Sequence, residues 1–312
     1  MPDYMWDASG WRSSVEYQVI CDGGCDFTAE EIEKYQVRVV PFYISFDLVK
    51  YEKEIQEIGI REVYDRMVAD SKVIPKTSLP SVQDYVDVFT EYAKDGKSII
   101  CLCMTLTLSG SYNAACNAKS IVQEDYPDVK ITVINSLHCT VSEGLVLREA
   151  ARMRLDGISY EENITRLEKV INSGRIFFTV GNTEYLAAGG RIGKVASIAT
   201  GLLSLRPLII LNEGEITADS VSRGRKKSVQ KILEVTRRHF DEIKEPMKNY
   251  EFLIGFGYDE EEGQAFVQEF IQTFREEGIE NQVRLAQIGA TVAVHTGPYA
   301  IGVGLVKRYE EV

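Results

Sequence analysis

Ser98-Ile99-Ile100-Cys101-Leu102-Cys103-Met104 is a continuous apolar run, and Thr105-Leu106-Thr107-Leu108-Ser109-Gly110-Ser111-Tyr112 follows it directly into a helical pattern that continues to about Glu124. A short run of this kind, ending in a polar turn and then a helix, reads as a strand buried on both faces. Three further runs, Val15 to Cys21, Val37 to Ile44 and Val129 to Asn135, also read as strands and alternate with helical patterns. That alternation predicts a parallel sheet covered by helices. In such sheets the strand-to-helix turns lie at the carboxyl edge, where free backbone N–H groups and the helix dipole favour an anion. Ser109-Gly110 sits at one of these turns, so a ligand head group is expected there.

Working outward, Val82, Tyr85, Val86 and Phe89 recur at helical spacing, with Ser81 as N-cap and Asp84 three residues on in the manner of a capping box. Thr77 to Pro80 is then a loop entering a helix. A helix over Ser142 to Asp156 ends at Gly157, and Ser159 with Glu162 opens another. The boundary between two domains falls at this junction, giving residues 1–157 as a parallel α/β domain and 158–312 as a second one. The second half is predicted to be mixed α/β. Arg206 to Leu211 and Glu215 to Ser222 flank the hairpin signal Asn212-Glu213-Gly214 and precede a helix from about Lys226 to Phe240. Strands at Glu251 to Gly255, Arg284 to Gly289 and Ile301 to Lys307 follow, with a helix over Glu260 to Glu277 between the first two.

The chain has 312 residues, enough for two cores, and 45% apolar composition is ordinary for a globular protein. A net charge of −12 opposes general attraction to nucleic acid or anionic membranes. No run approaches the roughly 18 apolar residues of a membrane span, and Met1 to Ser14 lacks a signal-peptide core, so a cytoplasmic protein without stable membrane insertion is expected. Cys21, Cys25, Cys101, Cys103, Cys116 and Cys139 do not form paired zinc knuckles, and no metal site is expected. Cys101 and Cys103 should share one face of their strand as small hydrophobes. Gly189-Gly190-Arg191-Ile192-Gly193-Lys194 is one residue short of a phosphate-binding loop and continues with Val195, which removes the nucleotide reading. Dehydrogenase, metalloprotease and esterase signatures are absent.

What remains is a set of polar groups spread over both halves: Lys76-Thr77-Ser78-Leu79-Pro80-Ser81, Leu108-Ser109-Gly110-Ser111-Tyr112, Gly189-Gly190-Arg191-Ile192 and His295-Thr296-Gly297-Pro298. Together they supply hydroxyls, an imidazole and backbone N–H groups without an obvious nucleophile and base. Such donors suit the binding of a small anion more than bond breaking. These four segments, in this order and spacing, resemble the DegV family of bacterial fatty-acid-binding proteins, which includes the acyl-carrying subunits of fatty acid kinase. Val40-Pro41, Leu202-Leu203-Ser204-Leu205-Arg206-Pro207 and Arg223-Gly224-Arg225 extend the resemblance over nearly the whole chain.

The resemblance implies a two-domain α/β protein holding one long-chain fatty acid, with Thr77 and Ser109 as hydroxyl ligands of the carboxylate and His295 completing the network. Gly110, Gly297 and Arg191, in the same matching segments, are expected as further ligand-binding residues. Arg191 and Arg223 match arginines implicated in docking the kinase, a separate ATP-using protein that phosphorylates the carboxylate. On this reading the chain is a carrier without a cofactor and not an enzyme. Phe177, Phe178, Leu186, Ile192, Ile198 and Leu202 are candidate walls for the acyl tail, with the second domain enclosing it. His138 sits in a loop and His239 is expected to be solvated. Three departures from the family pattern stand out: Cys21-Asp22-Gly23-Gly24-Cys25-Asp26 in place of a hydroxyl-rich turn, Asn135-Ser136, and Tyr299, which is expected to narrow the pocket or add its hydroxyl. The rival expectation is an enzyme related to dihydroxyacetone kinases. A nucleic-acid contact at Arg223, Arg225, Lys226 and Lys227 is the weakest alternative, since the chain is acidic.

Overall fold

The computed structural model describes residues 17–192 and 205–312. In the first half, strands β1 (Tyr17–Asp22), β2 (Arg38–Val40), β6 (Ser98–Cys103) and β7 (Ile131–Asn135) form a four-stranded sheet in the order β2-β1-β6-β7, with every pairing parallel. In the second half, β8 (Arg175–Thr179), β9 (Leu205–Asn212), β10 (Glu215–Arg223), β11 (Tyr250–Phe256), β12 (Val283–Gln287) and β13 (Ile301–Lys307) make a six-stranded sheet in the order β10-β9-β8-β13-β11-β12. Only β11 and β12 pair in parallel there. The parallel sheet and the mixed sheet both match expectation.

The stretch expected as one strand from Val37 to Ile44 is interrupted at Pro41-Phe42, because proline has no N–H to give a ladder. Its second part, β3 (Tyr43–Ser45), joins β4 (Glu52–Lys53) and β5 (Lys76–Ser78) in a small antiparallel sheet of order β4-β3-β5. Thr77 therefore lies on a strand opposite Ile44 and not in a loop.

The helices are α1 (Ala29–Tyr35), α2 (Ile60–Ala69), α3 (Val82–Ala93), α4 (Ser111–Asp125), α5 (Thr140–Leu155), α6 (Tyr160–Ser173), α7 (Glu184–Ala188), α8 (Arg225–Ile243), α9 (Glu260–Thr273) and α10 (Ala290–Thr296). The N-caps read from sequence are present: Ser81 and Asp84 form a reciprocal capping box, and Ser159 accepts from the Glu162 N–H. Helices α3 and α4 cover one face of the parallel sheet, α8 and α9 cover one face of the mixed sheet, and α5 packs between the two sheets against β1, β11 and β13. This position explains why α5 is buried almost all round, where a surface helix would show one polar stripe. Cys101 and Cys103 face the same core with their sulfurs 3.9 Å apart. No helix among the described residues is long and apolar enough to cross a membrane.

His239, expected in solvent, is packed edge-on against Phe177 and Phe240 at 5.6 and 5.3 Å between ring centres. Burial and the nearby Arg175 push its pKa down to about 4. The charged neighbours in sequence, Arg237 and Arg238, point elsewhere, to Thr273 and Asp219.

Candidate functional site

Three chain segments meet at the carboxyl edge of the parallel sheet. Ser109 closes the turn after β6: its N–H donates to Thr105 O at 3.1 Å, and its own Oγ accepts from the Ser111 N–H at 3.2 Å as α4 begins. Gly110 is the N-cap residue of α4, and a β-carbon there would lie 3.3 Å from Leu79 Cδ2. The connection leaving β5 thus rests on the start of α4, which brings the Thr77 and Ser109 segments side by side. His295 arrives from the last turn of α10, with Nε2 2.9 Å from Thr77 Oγ1 across 218 residues of sequence.

Arg191 ties a fourth segment over the first three. Its Nε donates to Leu108 O at 3.1 Å and its Nη1 to Gly189 O at 2.6 Å. Lys76 Nζ donates to Ala188 O at 2.5 Å. Burial, with the positive charges of Arg191 and Lys76 behind it, holds the His295 pKa down at about 4. The ring is therefore neutral at ordinary pH, and the fixed cations beside it favour an incoming anion.

Behind these groups opens a cavity of about 230 Å³ lined by Thr77, Ser109, Arg191 and His295 and otherwise chiefly by apolar side chains. Both halves build its wall. Phe42, Met104 and Val141 come from the first, and Phe178, Ile216 and Ile288 from the second. The sequence reading assigned enclosure of the acyl chain to residues 158–312, whereas the lining of this cavity comes from both halves. Of the candidate wall residues, Phe178 and Leu186 line the cavity, whereas Phe177 points to the other face of β8 because successive strand residues alternate. Ile192 packs on the core at the margin. Ile198 and Leu202 lie outside the described residues, as does the segment Leu202 to Ser204.

Gly297 and Tyr299 are not brought to this cavity. Gly297 ends α10 with φ +77°, and a β-carbon there would lie 2.6 Å from the Tyr185 ring, so a left-handed turn and a close approach both require glycine. Tyr299 is exposed and lines a separate surface cleft with Arg206 and Arg225. It therefore neither narrows the apolar cavity nor adds a hydroxyl to the head-group donors. Arg223 is exposed at the end of β10. Arg225 belongs to an ion pair with Glu262, which removes it from the expected basic cluster.

The wall is backed by buried acids that sequence reading passed over. Glu54 accepts from Phe42 N at 3.1 Å and from Thr291 N and Oγ1 at 3.1 and 2.8 Å; burial pushes its pKa up to about 7. Asp26 accepts from Thr140 Oγ1 and is pushed up to about 8 by burial. Among the described residues one group of potential metal donors exists, Cys21, Asp22 and Glu143, all buried. Asp22 already accepts from Gly24 N and Met104 N at 3.0 and 2.9 Å, while burial first and then the Asp22 charge push the Glu143 pKa well above the usual carboxylate range. The Cys21-to-Cys25 turn thus lies behind the wall, with Cys25 buried.

The model of the family described as an uncharacterised protein family, DegV, matches residues 16–308. The chain belongs to the DegV family. Among curated relatives, a DegV domain-containing protein of Clostridium perfringens is 32% identical over 293 residues, covering 93% of this chain and 98% of that one. Among solved structures, a stearic acid-binding protein from Eubacterium ventriosum is 42% identical, covers 95% of this chain and 100% of that one, and superposes with a TM-score of 0.89. A DegV family protein from Thermus thermophilus, described by its fatty acid binding, is 26% identical, covers 94% and 99% of the two chains, and gives 0.82. Solved proteins described by their fatty acid binding therefore share this α/β architecture over at least 94% of the chain.

Proposed function

We propose that this DegV protein binds one long-chain fatty acid, with the carboxylate at Thr77, Ser109, His295 and Arg191 and the hydrocarbon in the cavity behind them. The observation that carries this reading is that those four side chains line one mainly apolar cavity, with His295 meeting Thr77 and Arg191 meeting Leu108 O next to Ser109. With its proton on Nε2, the neutral imidazole donates to Thr77 Oγ1, leaving the threonine O–H to donate to one carboxylate oxygen. The Ser109 O–H supplies a second donor. Several donors offset the desolvation cost of the charge, and Arg191 and Lys76 add attraction. The tail contributes about 0.8 kcal/mol per buried CH₂, on the order of 10 kcal/mol for sixteen carbons before ordering costs.

The chain then acts as a carrier and not as a catalyst, presenting the carboxylate to a separate ATP-dependent kinase that forms the acyl phosphate. Arg223 is available for docking at the end of β10. Arg191 is engaged with Leu108 O and Gly189 O, so its part in docking is to shape the surface as well as to carry charge. No cofactor enters this scheme.

Native mass spectrometry after gentle purification tests the binding step, and a mass equal to the bare chain that palmitate or oleate leaves unchanged would refute it. For the second step, palmitate, ATP and the kinase of the same organism are incubated with the protein, and acyl phosphate is trapped with hydroxylamine. Acyl hydroxamate that forms only when both proteins are present supports the carrier. Turnover of ATP by this chain alone points to an enzyme instead.

A further inference from the structure

Helix α10 is held at both ends by the small sheet. At its C-terminal end His295 meets Thr77 on β5, and at its N-terminal end Thr291 meets Glu54, the residue directly after β4. Glu54 is 1% exposed and uses both oxygens: Oε1 accepts from Phe42 N, and Oε2 accepts from Thr291 N and Oγ1. Phe42 and Thr291 are both cavity-wall residues. A third segment closes over the same carboxylate, since a β-carbon on Gly23 would lie 1.9 Å from Glu54 Oε1. The seven residues of α10 form less than two helical turns, too few to place His295 by their own stability.

We infer that Glu54 is a positioning residue for the head-group site, fixing the rotation and depth of α10 so that His295 reaches Thr77. This deepens the fatty-acid reading and rests on it. Glu54 does not touch the ligand. It acts through the helix that carries the imidazole.

In Glu54→Gln one of the two acceptor oxygens becomes an NH₂ group, which cannot accept from Phe42 N or from Thr291. The test compares palmitate with 1-hexadecanol, which fills the cavity without a carboxylate, by isothermal titration on wild type, Glu54→Gln, His295→Ala and the double variant. Glu54→Gln is expected to weaken palmitate about tenfold and to leave hexadecanol unchanged. In the His295→Ala background the same substitution should have no further effect on palmitate, because the group it positions is gone. Equal losses for both ligands, or full additivity with His295→Ala, would overturn the inference. Thr291→Val, which removes only the Oγ1 contact, provides a milder second variant with the same pattern on a smaller scale.

Should wild type bind no palmitate, the fatty-acid reading fails, and positioning is still read from the His295 ring by NMR titration. A ring whose shifts and pKa are the same in wild type and Glu54→Gln would sink the positioning role.

Discussion

A β-carbon at Gly189 would sit 2.1 Å from His295 Nδ1, inside the van der Waals surface of the imidazole. Gly189 has φ −81°, an ordinary value for any residue, so space and not backbone conformation demands glycine there. Gly189→Ala should therefore fold normally and push the ring away from Thr77. The expected result is palmitate binding weakened about tenfold, or about 1.4 kcal/mol, with the far-ultraviolet circular dichroism spectrum unchanged. Affinity equal to wild type would show that the ring position is unimportant.

Thr77→Val keeps the shape of the side chain and removes its hydroxyl, leaving both His295 Nε2 and the carboxylate short of a partner. Ser109→Ala removes the second hydroxyl. Each substitution is expected to cost about 1–3 kcal/mol of fatty acid affinity, seen as loss of co-purified lipid in native mass spectra. Full ligand occupancy in both variants would exclude these residues as the head-group donors.

Asp26 makes stability depend on pH in a direction opposite to the usual carboxylate. Its folded pKa is raised to about 8 by burial, so between about 4 and 8 the folded state holds a proton that the unfolded state has released. Wild-type stability attributable to this group falls as pH rises through that window. Asp26→Asn has no such proton, so urea unfolding from pH 5 to 7 should show the difference moving in favour of the variant by about 1.4 kcal/mol per pH unit. A difference independent of pH would mean that Asp26 ionises normally.

Phe270 is fully buried at the centre of an aromatic cluster with Phe252, Phe266 and Phe274, between α9 and the mixed sheet. Phe270→Ala should cost about 3–5 kcal/mol, read as a lower urea midpoint. The cluster lies apart from the apolar cavity, so the variant that remains folded should bind palmitate as wild type does. A parallel loss of affinity would reveal coupling between the two cores.

Much of the fold was legible because it follows from local patterns. Ile99 to Cys103 is apolar throughout, as a strand covered on both faces must be, and the turn at Ser109-Gly110 is recognisable from what precedes and follows it. The small sheet was not legible, since β4 has two residues and β3 and β5 three each, too few for alternation to register. Helix α10 is similarly short. His295 was singled out by the segment around it, while the helix that delivers it left no periodic signal. Glu54 resembled any other glutamate in the charged stretch Glu52 to Glu57, and only burial distinguishes it. Tyr299 misled for the same reason: its distance in sequence from His295 says nothing about which side of Gly297 its ring occupies.

Local chemistry written along the chain determined the parallel and mixed sheets, the helix caps and the identity of the polar groups, because strand burial, capping and turn formation act over a few residues. Tertiary packing alone decided that Thr77 on a small sheet would meet a histidine 218 residues away, that both halves would wall one cavity, and that a buried glutamate would anchor the helix between them. Contacts of that range depend on how α5 is pressed between two sheets and how α10 is clamped at both ends, and no short stretch of sequence contains either relationship.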